Sequence, residues 1–312
     1  MAFYRRRRNT YRRRKDPRRL LKAIAVLLVI AVCAAVVVQT TRLQKANEII
    51  AKYEKGSSLA APDNTEDSAS PPADDNTPPL DSALPYQKLY PDMKADSPQQ
   101  FAAGDPKAVY LTFDDGPSSR TATILDALAA KSQKATFFVV GKNIAGNEAL
   151  VKRIVDEGHT LGIHGFSHDY AATYASVDAF LEDFHQAYEA VYTAAGVYPT
   201  LFRFPGGSVN AYNRATYQPI IAEMIRRGFV YHDWNIATED ASGKAYRASQ
   251  LIQTVTSAVT QNERAVVMLH DAADKKVTAD AIPKLLDALY GLGYYADRLN
   301  PDTLPITFAY ND

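Results

Sequence analysis

The chain has a single cysteine, Cys33, so no disulfide can form within it, and the stability of any folded part has to come from a buried core. Internal repeats are absent, which sets aside solenoids and propellers. A charge excess is absent too: 35 Lys and Arg face 35 Asp and Glu. That balance is not local. Residues 1–22 carry Arg5 to Arg8, Arg12 to Arg14, Lys15, Arg18, Arg19 and Lys22 against one acid, Asp16, so a strongly basic tail is offset by an acidic remainder.

Long apolar runs are scarce, and the one present is therefore informative. From Ala23 to Val38 no residue is charged or strongly polar. With its polar edges the stretch 23–41 approaches the ~20 residues that span a bilayer. It is predicted to be one transmembrane helix, with the arginine-rich tail in the cytoplasm and the rest outside the cell. A cleaved signal peptide is the rival reading, because Ala31, Ala34 and Ala35 offer small residues after an apolar core. The length of the basic region and the continuing apolar run argue against it. A lipoprotein anchor is disfavoured by Val32 before Cys33. Arginines beside a membrane span are explained by orientation and anionic lipid, so no nucleic-acid partner is expected.

Residues 42–105 are predicted to be stalk and spacer. Leu43, Ala46, Ile49, Ile50 and Tyr53 recur at helical spacing, after which Pro, Asp, Ser and Ala dominate, as in Ala69 to Asp81. Such composition buries too little apolar surface to fold, and suits a flexible tether. Residues 106–312 remain, enough for one sizeable core. Here short apolar runs (Ala108 to Phe113, Thr136 to Val140, Thr160 to His164, Leu201 to Phe204, Phe229 to Ile236, Ala265 to Leu269) alternate with helical patterns over 121–131, 148–157, 177–195, 217–227, 248–261 and 282–292. Strand and helix in steady alternation predict parallel pairing in an α/β barrel or open sheet. Asp114, His164, Arg203, Asp240 and His270 fall at or just past predicted strand ends, where barrel active sites assemble.

Asp114 and Asp115 stand side by side in Thr112-Phe113-Asp114-Asp115-Gly116-Pro117, and His164 and His168 stand four apart in His164-Gly165-Phe166-Ser167-His168. Taken alone, the first is an ordinary turn. After an apolar strand and with the histidine pair downstream, two imidazoles and one carboxylate make a hydrolytic metal site. The second carboxylate is then placed to take a proton from water. His159 reads as a structural hydrogen-bond donor, His185 as helix surface, and His232 stays open. Trp234, the only tryptophan, reads as core packing.

These motifs, with Arg203-Phe204-Pro205-Gly206-Gly207 and Met268-Leu269-His270, resemble the polysaccharide deacetylases of carbohydrate esterase family 4, the NodB homology domain, in their order and over the whole region from about Lys107 onward. The resemblance implies a distorted (β/α)7, TIM-like barrel. It implies one divalent metal, zinc first and cobalt, nickel or manganese as alternatives, held by Asp115, His164 and His168. It further implies Asp114 as general base oriented by Arg203, and His270 as general acid tuned by Asp240. The Gly206 N–H is implied to help hold the oxyanion, and Met268 to lie at the substrate.

Three motifs depart from the family pattern. Gly165 stands where Ser or Thr is usual, and Gly206 where Tyr is frequent. Ala237 to Ala241 keeps Asp240 but has alanine in place of the first Asp and of the Trp of an Asp-x-x-Asp-Trp motif, which leaves Asp233 as the fallback partner of His270. The expected function is a membrane-anchored, extracytoplasmic N-deacetylase of a cell-wall polysaccharide, with peptidoglycan N-acetylglucosamine as first choice. N-acetylmuramic acid, poly-N-acetylglucosamine, chitin oligomers and acetylxylan are the alternative substrates, and a wall-binding barrel without turnover is the reading from another class.

Overall fold

The computed structural model describes residues 83–243 and 245–308. The basic tail, the apolar run 23–41 with Cys33, and the tether up to residue 82 lie outside them, and among the described residues no helix is long and apolar enough to cross a membrane.

The described chain alternates strand and helix as its hydrophobic periodicity predicts. Strands β1 (Ala108–Asp114), β2 (Thr136–Val139), β3 (Thr160–Ile163), β4 (Leu201–Phe202), β5 (Val230–Tyr231), β6 (Ile236–Ala237), β7 (Ala265–His270) and β8 (Tyr295–Asp297) form one all-parallel sheet. Its order is β5-β4-β3-β2-β1-β7-β6, with β8 added to the start of β1. Every residue of β1 is buried, as expected of a strand flanked on both sides and covered on both faces.

Two expectations are corrected. Where a distorted (β/α)7 barrel is expected, the parallel sheet is a curled half-barrel: its path ends at β5 and β6, and no ladder joins these two among the described residues. The cause lies in the single run predicted from Phe229 to Ile236, which the structure breaks into two short strands. Between them Asp233 turns aside to accept the N–H and hydroxyl of Ser208 and the N–H of Phe308, so the chain leaves the sheet.

The second correction concerns the tether. From Ala83 onward the chain packs on the folded unit, because the segment carries Tyr86, Leu89, Tyr90 and Met93 among its prolines. Arg227 holds it: its guanidinium donates to the carbonyls of Leu89, Tyr90 and Met93 while its Nε bonds Glu223 at 2.7 Å. Arg227 and Glu223 are both almost fully buried, and a pair at that depth is stable only because the remaining donors are satisfied.

The helices are α1 (Ser119–Ala130), α2 (Glu148–Asp156), α3 (Tyr170–Thr173), α4 (Val177–Ala195), α5 (Tyr217–Arg226), α6 (Ala248–Val259) and α7 (Lys276–Gly291). Three of the seven, α1, α3 and α4, start on a side-chain cap from Ser118, Asp169 and Ser176. The Ser176 hydroxyl accepts the Ala179 N–H at the head of α4, and Gly196 ends that helix at φ +71°, a conformation open to glycine. Phe180, Leu181, Phe184, Ala187, Tyr188 and Val191 line the buried face of α4 at helical spacing and pack on β3 and β4 through Phe202 and Phe204. Truncating any one of these phenylalanines to alanine removes about 3–5 kcal/mol by the usual cost of an aromatic cavity. Rigid packing of α4 has a functional consequence, since this helix also supports the histidine loop.

Candidate active site

The sequence-predicted residues converge at the carboxyl ends of the parallel strands. Asp114 ends β1, and Asp115 follows with φ +74°, a left-handed turn that sends the two neighbouring carboxylates apart. His164 follows β3, Arg203 follows β4, Asp240 lies past β6, and His270 ends β7. Asp114 and His270 are register partners across β1 and β7. In the sheet order the two loop histidines therefore come from the β3 side of β1 and His270 from the β7 side.

Asp115, His164 and His168 each offer one ligand atom, and these atoms lie within 4.8 Å of one another. His168 Nε2 is 3.1 Å from Asp115 Oδ1 and His164 Nε2 is 3.7 Å from it. The fit to a cation rests on three observations. The buried Asp115 Oδ1 has no hydrogen-bond partner in the structure. His164 Nδ1 is tied to the Arg203 carbonyl at 2.9 Å, which leaves Nε2 as the lone-pair nitrogen facing the cluster. Burial also lowers the pKa of His164, favouring the neutral ring that binds metal. For Asp115, burial alone would raise the pKa, but the neighbouring His168 and His164 rings hold its carboxyl well below the usual range. Two neutral nitrogens and one carboxylate suit zinc and its first-row neighbours.

Arg203 is fully buried and organises the base side. Its Nη1 donates to Asp114 Oδ1 at 3.0 Å and to Thr112 Oγ1 at 2.6 Å, its Nε to the His232 carbonyl, and its Nη2 to the Asp233 carbonyl. The guanidinium lies 4.4 Å from the Phe138 ring centroid and 5.6 Å from that of Trp234. Burial of this kind disfavours its charge, and the Asp114 carboxylate offsets that cost. One residue thus fixes Asp114 through its side chain and His164 through its carbonyl.

On the other side Asp240, not Asp233, pairs with His270. The ring Nδ1 is 2.7 Å from Asp240 Oδ1, while the His270 N–H and the Thr278 hydroxyl both donate to Asp240 Oδ2. Burial would lower the His270 pKa, but the bond and charge of Asp240 outweigh it and push it up to about 9. The ring is therefore cationic at neutral pH, with Nε2–H free to donate. Asp233 serves the backbone of the Ser208 turn instead. Trp234 packs edge-on against Phe308 at 4.9 Å, as its core reading predicts. Gly206 lies at the exposed tip of the arginine turn with φ +76°. Met268 shares a face of β7 with His270, partly buried, and lines neither of the two depressions beside the ligand cluster.

The remaining histidines separate clearly. His159 is structural, but as an acceptor: its Nδ1 takes the Ala135 N–H at 3.2 Å, the reverse of the expected donation, and burial holds its pKa down to about 4. His185 stacks on Tyr90 at 4.1 Å. His232 is buried and held neutral, its pKa lowered to about 3 by burial and by Arg203.

Two residues that support the site are not legible from the motifs. Asp183, on α4, accepts the N–H groups of Phe166 and Ser167 with its two oxygens at 2.8 and 2.9 Å, clamping the loop between the metal-site histidines. A Cβ at Gly165 would stand 2.7 Å from that carboxylate, so the departure at 165 makes room for the clamp. Asp271 is buried beneath Gly116; its N–H donates to the Asp114 carbonyl and its carboxylate accepts the Thr121 hydroxyl. Burial pushes its pKa up to about 7.

Comparison with known proteins agrees with this geometry. Residues 102–220 match the family model described as polysaccharide deacetylase. YheN of Bacillus subtilis, whose name assigns it provisionally as a polysaccharide deacetylase, is 32% identical over 206 residues, 64% of this chain and 70% of its own length. A peptidoglycan-N-acetylglucosamine deacetylase of Bacillus cereus is 29% identical over 226 residues, 71% of this chain and 80% of that protein. The crystal structure of the catalytic domain of a peptidoglycan N-acetylglucosamine deacetylase from Eubacterium rectale superposes with a TM-score of 0.64 at 30% identity, covering 71% of this chain and all of that one. The match to the family model, the shared fold and this degree of identity make the chain a member of the polysaccharide deacetylase family, a hydrolase acting on the amide bonds of acetylated sugars.

Proposed function

We propose that the protein is a metal-dependent deacetylase of peptidoglycan N-acetylglucosamine, anchored in the membrane by residues 23–41 with its folded unit outside the cell. The observation that carries the reaction is the pairing of an Asp-His-His ligand cluster with a buried base pair, Asp114–Arg203, and a buried acid pair, His270–Asp240. The substrate rests on what the relatives from Bacillus cereus and Eubacterium rectale are named for. The location rests on the basic tail, the apolar run and the proline-rich tether, which suit an enzyme working on a fixed polymer just outside a membrane.

In this reading Asp115, His164 and His168 hold one divalent ion, zinc by its donor set. When bound, such an ion polarises the acetamide carbonyl and makes a nearby water a better nucleophile near neutral pH. Asp114 accepts the proton of the attacking water, and Arg203 keeps its carboxylate aimed through the bond from Nη1. The Gly206 N–H donates to the developing oxyanion. His270, charged because of Asp240, donates a proton to the departing nitrogen so that it leaves as the free amine of the sugar. A base that takes a proton and a separate acid that gives one suit the two proton transfers of amide hydrolysis.

The test is acetate release from purified peptidoglycan, chitin oligomers and acetylxylan by the purified chain with each metal added in turn. Release from peptidoglycan above the others, lost on chelation, is expected. Equal or greater release from acetylxylan would overturn the substrate assignment.

A further inference from the structure

An acetamide is a small part of a polysaccharide, and the ligand cluster is bordered by two open depressions that meet at Lys142. One, of about 440 Å3, is polar, with Asp115, Ser118, Asn143 and Asn147 in its wall. The other, of about 700 Å3, is lined by His168, Tyr170 and Tyr212. In it three rings step away from the ligand cluster: Tyr170 lies 5.1 Å from His168, and Tyr212 meets Tyr170 edge to face at 5.4 Å. Tyr212 is 59% exposed, so one side of its ring stands open to a ligand in the depression.

The segment that carries Tyr212 is held rigidly. The Asn210 side chain donates to the carbonyls of Pro205 and Gly207 and accepts the N–H of Tyr212, and the buried Asn213 closes the turn onto Ser208 and Asn210. Tyr170 in turn lies against Gly206: a Cβ placed there would come within 3.4 Å of its ring.

We propose that Tyr212, backed edge-on by Tyr170, is a sugar-stacking site for the pyranose ring next to the one being deacetylated. A pyranose presents a face of C–H groups, and the negative face of an aromatic ring attracts them while the sugar hydroxyls stay in water. A preorganised tyrosine gives this contact with little loss of side-chain freedom. Openness of the depression matches a polymer that enters and leaves along its length. The inference rests on the deacetylase reading for its choice of ligand, and on ring geometry for its location.

The experiment compares the full chain with Tyr212→Ala, Tyr212→Leu and Tyr212→Phe on a tetramer of N-acetylglucosamine and on 4-nitrophenyl acetate, which is too small to reach the ring. For Tyr212→Ala and Tyr212→Leu, KM for the tetramer rises about tenfold with kcat within about twofold, a change equal to one aromatic stacking contact. The loss on the tetramer exceeds the loss on the reporter by about the same factor, and Tyr212→Phe restores tetramer KM. Equal losses on both substrates, or full retention by Tyr212→Leu, would overturn the proposal. If the wild-type chain releases acetate from no glycan, the deacetylase reading fails first, and calorimetric binding of the tetramer then decides: weaker binding by Tyr212→Ala supports the site, and equal or undetectable binding by both proteins overturns it.

Discussion

Asp114 and His270 are register partners across two adjacent strands, and each is held by its own buried partner of opposite sign. The base is held by the Arg203 guanidinium, and the acid is kept cationic up to about 9 by Asp240. Replacing Asp114 by Asn is expected to lower kcat by about 10²–10⁴ with little change in KM, the usual contribution of a positioned base, as read by steady-state acetate release. Asp240→Asn acts on the other limb. His270 has to be protonated to donate, so activity falls as pH rises through its pKa; without Asp240 that pKa drops from about 9, and the alkaline limb of the kcat profile moves down with it. The same shift affects stability. Because His270 is raised above its unfolded value of 6.5, its bond stabilises the fold fully below pH 6.5 and loses that contribution as pH rises through about 9. The stability gap between wild type and His270→Gln in denaturant titrations should narrow across that window. Both residues were legible because each sits in a short motif at the end of an apolar run. Asp183, Asp271 and the Tyr170–Tyr212 pair were not, since each meets its partner across the fold, beyond the reach of any local pattern.

At the scale of elements, helix α4 links the core to the chemistry. One face packs on β3 and β4 through phenylalanines, and Asp183 from the same helix holds the loop between His164 and His168 by two backbone N–H groups. Outer hydrogen bonds of this kind orient ligands, so Asp183→Ala is expected to weaken metal binding by about 10–100-fold, and Asp183→Asn, which keeps one acceptor, by less. Competitive metal titration reads this directly; affinity within twofold of wild type for Asp183→Ala would show that the loop holds itself. Gly165→Ala should mimic the loss, because its Cβ meets the same carboxylate and its φ of +73° strains any side chain. Most elements were legible from hydrophobic period: α4 matches its expected span, and β1, β2 and β3 differ by a residue or so at an end. The Phe229 to Ile236 run was not, because period-two patterning cannot report that Asp233 leaves the sheet to bind Ser208 and Phe308.

For the whole molecule, the half-barrel is completed by its approach segment. Residues 83–105 read as tether by proline content, yet Arg227 and Glu223 at the end of α5 hold them through carbonyl groups that carry no side-chain signature. Removing one member of this buried pair leaves the other without its partner, so Arg227→Ala should cost about 3–5 kcal/mol in urea unfolding. A cost below about 1 kcal/mol would mean that the segment contributes little to the fold. The measurement that bears most directly on function joins all three scales: acetate released from purified peptidoglycan by the metal-loaded chain, by the chelated chain and by Asp114→Asn. Metal-dependent release by the wild type, reduced at least about 10²-fold by Asp114→Asn, is the result expected of a base-assisted deacetylase. Absence of release from the loaded wild type, or undiminished turnover by Asp114→Asn, would contradict it.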